Sequence, residues 1–140
     1  MNRILSHCLL ASLALSAGAC STPSRVGRTV GGSGELPLIE VSVRTLPGCP
    51  VRVPKHFQVL ERMNSQGLVD MQIPVINPTS SPVKFRYSWQ WMGPDGLSTT
   101  DPAREVWRTG FLEPKDSAHL TSTSTVADPT AVILRLSPSP

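Results

Sequence analysis

The chain has 140 residues, of which 39% are hydrophobic and 16% are charged. This length fits one small domain, and roughly 100 residues are enough to bury a hydrophobic core without disulfides or a structural metal. The formal net charge of +3 gives no case for nucleic-acid binding, so we expect no nucleic-acid partner. The 14 prolines argue against long helices.

The first twenty residues have the features of a secretory signal peptide. Asn2 and Arg3 form a short polar, basic start, residues 4–15 are mostly apolar, and residues 16–19 are small. The apolar stretch is too short for a finished membrane span. Because Cys20 follows the small residues directly, the segment resembles a bacterial lipoprotein signal. The resemblance implies cleavage before Cys20 and a diacylglycerol on its sulfur. The alternative is an ordinary signal peptidase site at which Cys20 is incidental.

The residue after the cysteine bears on the location of the protein. Ser21, and not aspartate, follows Cys20. By resemblance to Gram-negative lipoproteins, this implies export to the outer membrane. One acyl chain binds a bilayer only marginally, so stable anchoring needs two or more. We therefore expect an N-terminal lipid anchor at the periplasmic side of the outer membrane.

The composition divides the chain into three parts. They are a signal peptide at residues 1–19, a lipidated cysteine with a flexible tether at residues 20–35, and a folded domain at residues 36–140. The tether is rich in Gly, Ser and Thr, and residues 31–34 form a flexible-linker sequence. This glycine run lacks the Lys-Ser/Thr ending of a phosphate-binding loop.

The mature chain would hold one free thiol. Cys8 leaves with the signal peptide and Cys20 is expected to be acylated, so Cys49 has no partner for an intramolecular disulfide. We expect Cys49 to be a small, inert apolar residue. Pairing with a cysteine of another chain is the alternative.

Period-2 alternation dominates the domain, and helical periodicity is absent. Seven to eight short strands joined by Pro, Gly and Asn turns predict an all-β fold, a single antiparallel, immunoglobulin-like β-sandwich without an inter-sheet disulfide. Turns are predicted at residues 64–67 and 93–96. The predicted strands are 36–44, 54–61, 68–76, 83–91, 106–112, 118–123 and 132–136.

Residues 83–91 give the clearest strand, because every odd position is apolar and every even position is polar. This pattern places Tyr87, Trp89 and Trp91 on one face, which we expect to be core, with an aromatic binding platform as the alternative. Trp91 adjoins a turn, so it is the one we expect to be partly exposed. Trp107 is expected in the core.

The strand predicted at residues 68–76 contains a proline. Val69 and the other odd-numbered residues form its apolar face, while Pro74 lies on the polar face. Proline cannot donate to a ladder, so we expect either an interruption of the ladder at Pro74 or an edge strand.

Residues 68–137 carry features in an order found in a known family. They are the loop 77–79, the aromatic pair Tyr87 and Trp91, the turn ending at Gly96 and Leu97, Trp107, the turn 112–115 and the closing strand 132–136. In this order they resemble the YcfL family of small bacterial envelope lipoproteins, whose centre is similar to residues 85–97. The resemblance implies a periplasmic β-sandwich with no established enzymatic activity.

Four residues are candidates for binding. Trp91 and Asn77 could present an aromatic ring and a polar loop, while Lys84 and Arg86 share the polar face of their strand. The two cations could meet anionic lipid headgroups, lipopolysaccharide or an acidic partner, with Arg108 near them. A solvated strand face without a ligand is the alternative.

No residues at catalytic or metal-ligand spacing are found. His56, His119 and Cys49 are far apart in sequence, so we predict no metal site and no cofactor. Standard hydrolase and redox motifs are missing, so we predict no catalytic residues. The acidic pairs lie in proline-containing turns, where we expect them to cap and solubilise: Asp101 with Glu105, and Glu113 with Asp116.

These features lead to two functional hypotheses. The first is a non-enzymatic outer-membrane lipoprotein that acts as a protein-interaction or accessory module of the cell envelope. An envelope protein partner could add a strand to an edge, with strands 36–44 and 68–76 as candidate edges. The alternative is a glycan- or peptidoglycan-binding module that uses Trp91 and loop 77–82. An enzyme is a third class that no motif supports.

Overall fold

The structure, a computed structural model, describes residues 28–30, 38–98 and 105–140. None of these residues is helical, and the predicted all-β sandwich is confirmed: two four-stranded sheets enclose one core. Sheet A has the order β1-β3-β4-β7, and sheet B has the order β2-β8-β5-β6. The strands are β1 (Arg28–Val30), β2 (Glu40–Thr45), β3 (Val59–Met63), β4 (Val69–Ile76), β5 (Val83–Met92), β6 (Arg108–Leu112), β7 (Ser117–Thr123) and β8 (Ala131–Pro138).

Most strand pairs are antiparallel, but two are parallel. The pairs β3–β4, β4–β7, β5–β6 and β5–β8 are antiparallel. The pairs β1–β3 and β2–β8 run parallel, which corrects the expectation of a purely antiparallel sandwich. Alternation of apolar and polar residues reports which face of a strand is buried, and it carries no information on the direction of the neighbour.

The N-terminal predictions are only partly covered by the structure. The predicted signal peptide at 1–19 and the lipidation site Cys20 lie outside the described residues. Within the predicted tether, residues 28–30 form β1, so this part of the segment is a short strand and not a free linker. Backbone pairing depends little on side chains, so a Gly- and Ser-rich composition does not prevent it. In the described part of the chain, no helix is long and apolar enough to cross a membrane.

The core follows the predicted alternation. On β4, Val69, Met71, Ile73 and Val75 are fully buried, as their spacing predicted. They belong to the same core cluster as apolar residues of β8 in sheet B, among them Leu134. Each such side chain contributes about 1.5–3 kcal/mol through removal of apolar surface from water. The sequence of alternating residues therefore defines the interior of the sandwich.

Trp91 joins the two sheets. It lies on β5 in sheet B, and its Nε1 donates a hydrogen bond of 3.0 Å to Oγ of Ser122 on β7 in sheet A. Only 2% of Trp91 is exposed, which corrects the expectation of partial exposure next to the turn. The hairpin continues past it through a bridge between Met92 and Ser98, so Trp91 is an interior position of the hairpin.

Pro74 interrupts a ladder inside a central strand. The β3 register ends at Gln72, and Ile76 then exchanges backbone hydrogen bonds with Arg52. Pro74 lies between these two points, where a missing N–H leaves no strand partner unsatisfied. The predicted interruption is confirmed, while the edge assignment is wrong because β4 lies between β3 and β7.

The two predicted turns are confirmed. Gly67 and Gly96 have φ values of 74° and 73°, a region that favours glycine. Each closes its turn with a backbone hydrogen bond, to the carbonyl of Asn64 and of Gly93 respectively. These turns fix the registers of the hairpins that position the outer faces of both sheets.

Gly110 fixes β6 against β5. A Cβ at this position would lie 2.3 Å from Cζ of Phe85, so the Phe85 ring occupies the space that a side chain would take. Phe85 is the register partner of Gly110. This close approach keeps the edge strand β6 attached to the core.

Candidate functional site

Lys84 and Arg86 lie on the outer face of sheet B, away from the core, as their even positions on β5 predicted. Lys84 is opposite Phe111 and Arg86 is opposite Thr109 on β6. Lys84 is exposed and Arg86 is half-buried. Arg108 is opposite Tyr87, a core-facing position, so it does not share their face and the expected neighbourhood is corrected.

Trp107 covers Arg86 on this face. The Arg86 guanidinium carbon lies 5.1 Å from the centre of the Trp107 ring, within range of a cation–π interaction. Trp107 is half-buried and is not part of the core cluster, which corrects its assignment to the core. The buried Nε of Arg86 has no hydrogen-bond partner among the described residues. The aromatic ring thus orients this cation without neutralising it.

Glu105 attaches the segment before β6 to the sheet. Its carboxylate accepts a hydrogen bond from Ser88 Oγ and forms an ion pair of 3.1 Å with Nη1 of Arg135 on β8. Nη2 of Arg135 donates to Oε1 of Gln90 at 3.0 Å. Glu105 is therefore a structural anchor and more than a solubilising charge. Asp101, its predicted companion, lies outside the described residues.

The two cations of β5 on this face each lie beside an aromatic side chain. In residues 38–98 and 105–140, neither Lys84 nor Arg86 makes an ion pair. Phe111, beside Lys84, is 53% exposed. We name Lys84, Arg86, Trp107 and Phe111 the cationic patch. Positive charge next to an exposed aromatic ring favours a ligand that carries an anionic and an apolar group.

Asn77 is a structural residue. Only 1% of it is exposed. Its Nδ2 donates to the carbonyls of Ser81 at 2.8 Å and Glu113 at 2.9 Å, while its Oδ1 accepts from the Thr79 N–H at 3.0 Å. The side chain holds loops 77–82 and 113–116 together and has no capacity left for a ligand. The prediction of a binding role for Asn77 is therefore corrected.

The thiol and the imidazoles are dispersed. Burial raises the pKa of the half-buried Cys49 thiol, against the smaller lowering effect of a hydrogen bond with the Val51 backbone. The thiol therefore stays protonated at neutral pH, which supports the expectation that Cys49 is unreactive. His56 and His119 are both exposed. The described residues include no group of three or more His, Cys, Asp or Glu that could hold a metal ion.

In the part of the chain that the structure describes, only some of the edge strands were predicted from the sequence. The N-terminal strand predicted at 36–44 corresponds to β2, which is an edge of sheet B. The edges β6 and β7 were not anticipated. Strand order depends on contacts between residues far apart in the chain, and the local pattern of β6 or β7 carries no signal of it.

Comparisons with known proteins show the fold. No family model matches the chain, and no curated protein matches it in sequence. The structure is similar to that of a DUF1425 family member from Shewanella, with a TM-score of 0.53 and 18% identity over 64% of this chain and 79% of the other. Another solved structure, Campylobacter jejuni cj0090, aligns with a TM-score of 0.49 and 21% identity over 69% and 97%. The chain thus shares the fold of a small bacterial protein of the DUF1425 family.

Proposed function

We propose that this chain is a non-enzymatic envelope lipoprotein of the YcfL type, anchored through Cys20 at the periplasmic side of the outer membrane. Its role is that of a protein-interaction module. The signal-like N-terminus ending in Cys20 supports the anchor. The fold shared with a DUF1425 family member is consistent with the YcfL resemblance. The cationic patch is the observation that carries the interaction role.

The patch favours an acidic protein segment as the ligand. Arg135 is neutralised by Glu105, whereas Lys84 and Arg86 have no acidic partner in the described part of the chain. These cations therefore attract an anionic segment and speed its association. Phe111 adds an exposed apolar surface that a neighbouring side chain of the segment would cover. Charge and apolar surface together select a segment in which both features are adjacent.

Among the described residues, no strand pairs with the outer side of β6, which lies next to the patch. The Met92 carbonyl accepts from the Thr130 N–H before β8, so even-numbered residues of β5 direct their backbone groups to β8 and odd-numbered residues direct theirs to β6. By the register, Arg108, Gly110 and Leu112 then bond to β5. The backbone groups of Thr109 and Phe111 point away from the sheet, where an extended segment can add as a strand.

The anchor is tested with Cys20→Ser. We expect a lipid-modified mass and outer-membrane fractionation for the native protein, and loss of both for the variant. A native chain that is unmodified and remains in the soluble periplasmic fraction would contradict the anchoring proposal. Anchoring and patch binding are separate claims, so this outcome would leave the second to its own test.

The patch is tested by charge reversal. Lys84→Glu should abolish the recovery of envelope proteins that are cross-linked to the native protein in intact cells. Lys55→Glu is the matched control, because Lys55 is also an exposed cation but lies in the loop before β3. If both variants recover the same neighbours as the native protein, the patch is not the contact surface.

The peptidoglycan alternative is not favoured by an observation. It depended on Trp91 as a platform and on loop 77–82 as its polar companion. Trp91 is buried between the sheets, and the loop is organised around the buried Asn77. No argument for sugar binding follows from these residues.

A further inference from the structure

β7 is an unusually accessible edge strand. It has seven residues, against six in β2, five in β6 and three in β1. Its register with β4 is continuous from Ser117 to Thr123, without a bulge. Among the described residues, no strand pairs with its other side. A long, regular and unpaired edge is a template for a further strand.

The outward backbone groups of β7 can be assigned. Ile76 bonds to Arg52 on the β3 side, so even-numbered residues of β4 point away from β7 and odd-numbered residues point toward it. The register places Ala118, Leu120 and Ser122 opposite those odd residues. The N–H and C=O groups that point outward therefore belong to Ser117, His119, Thr121 and Thr123.

β7 lacks the usual protection of an edge. Natural edge strands avoid association through lysines, prolines, bulges or short length. β7 contains no Lys, Arg, Asp, Glu or Pro. The other edges are less suited to pairing with an identical strand: β2 carries Glu40 and Arg44, β6 carries Arg108, and β1 is short. The threonines of β7 also favour strand pairing.

We propose that β7 pairs antiparallel with β7 of a second copy of this chain, around a two-fold axis at Leu120. This register places Ser117 opposite Thr123 of the second copy and His119 opposite its Thr121, so all four outward-pointing residues are used. The two copies of sheet A then form one continuous sheet. Such an interface is isologous, which is the commonest arrangement of homodimers.

Charge complementarity favours a second copy as the occupant. Antiparallel pairing of β7 with itself brings no Lys, Arg, Asp or Glu side chains of the strand together. Just outside the strand, Asp116 falls opposite Ser124 of the second copy, again without repulsion. The facing Ser, Thr and His side chains can hydrogen-bond across the pair. This inference goes beyond the proposed function, because it concerns sheet A and requires neither the lipid nor the cationic patch.

The first test uses the full native chain, extracted in a mild detergent and examined by sedimentation equilibrium at matched detergent density. We expect a reversible monomer–dimer equilibrium. Thr121→Pro removes an outward N–H without removing a bond to β4, and should weaken dimerisation by at least about tenfold. Thr109→Pro makes the same change on β6 and should have no effect. A monomer at every concentration would overturn the proposal, as would a dimer that Thr121→Pro does not weaken.

A charge exchange tests the register and covers the case in which the proline variant fails to fold. Thr121→Lys should weaken the dimer. The double variant His119→Glu with Thr121→Lys should restore it, because each new lysine faces a new glutamate across the two-fold axis. A dimer weakened by the single change but not restored by the double change excludes this register. A partner strand from another protein would appear as a mixed complex without self-association, which also overturns the proposal.

Discussion

The outer faces of the two sheets use their charges differently. On sheet A, Asp70 accepts from Thr123 Oγ1 at 2.7 Å and from Arg62 Nε at 3.1 Å, which connects β3, β4 and β7. On sheet B, Glu105 neutralises Arg135, while Lys84, Arg86 and Arg44 make no ion pair among the described residues. The Asp70 carboxylate of sheet A is thus bonded across three strands, whereas the described part of sheet B retains cations that make no ion pair.

This difference indicates where partners of different kinds bind. On sheet A, β7 contains no Lys, Arg, Asp or Glu, so this edge favours pairing with β7 of a second copy. A face with unpaired cations and an exposed ring suits an acidic segment, so sheet B favours a different protein. Changes to the connection between the sheets should have the largest effects, followed by changes to the attachment of one face and then by changes to single charges.

The largest effect is expected from Trp91→Ala, which removes the ring that joins the sheets. Truncation of a buried Trp costs about 3–5 kcal/mol of unfolding free energy because a cavity remains. Urea denaturation measures the loss, and Ser122→Ala should cost only about 1 kcal/mol through the hydrogen bond. A loss below about 1 kcal/mol for Trp91→Ala would mean that the ring is not packed between the sheets.

Gly110→Ala should be the next most damaging, since it separates β6 and its Phe111 from the core. The added Cβ collides with the Phe85 ring, and overpacking of this kind costs about 1–3 kcal/mol. Thermal unfolding measures it. Phe85→Leu combined with Gly110→Ala should lose less stability than the sum of the two single changes. Additive losses of stability would show that the side chains at positions 85 and 110 are not in contact.

Asp70→Asn should cost about 1 kcal/mol or less at neutral pH, because the network lies at the surface. The Thr123 hydroxyl lowers the pKa of Asp70, Arg62 and Asn64 lower it further, and partial burial opposes them. Since the folded pKa is below the unfolded value of about 3.9, this stabilisation is complete above that pH and is lost as the pH falls through the folded pKa. Asp70→Asn should therefore flatten the acid dependence of the unfolding free energy between pH 6 and pH 3 measured by denaturant titration. The same loss of stability at acid pH in the native protein and in Asp70→Asn would contradict this prediction.

The smallest effect on stability is expected from Lys84→Glu. Lys84 makes no ion pair in the described part of the chain. The unfolding free energy of the protein should therefore change by no more than about 0.5 kcal/mol. Chemical denaturation beside the native protein gives the value. A loss of several kcal/mol would show that Lys84 is used by the fold, and the contrast between the two faces would fail.

The alternation of apolar and polar residues was sufficient to predict which strand residues are buried. The alternation of Val69, Met71, Ile73 and Val75 predicted their burial, and the alternation of β5 predicted the outward position of Lys84. These predictions succeed because alternation follows directly from strand geometry. They required no knowledge of the neighbouring strands.

The contacts that each residue makes with distant segments could not be predicted from this alternation. Trp91 is buried where it bonds to Ser122 of β7, and Trp107 lies outside the core, against Arg86. Asn77 is saturated by loop carbonyls that include one from Glu113, far along the chain. Each outcome depends on contacts between distant segments, which neither composition nor periodicity records.

The position of β8 constrains the order in which this protein can be assembled. β8 lies inside sheet B, between β2 and β5, and its pairing with β2 joins segments about ninety residues apart. Until β8 has been synthesised, β2 has no neighbour in its sheet and β5 has only β6. The growing chain therefore cannot complete sheet B, and its folding is delayed until nearly all of the described sequence is available.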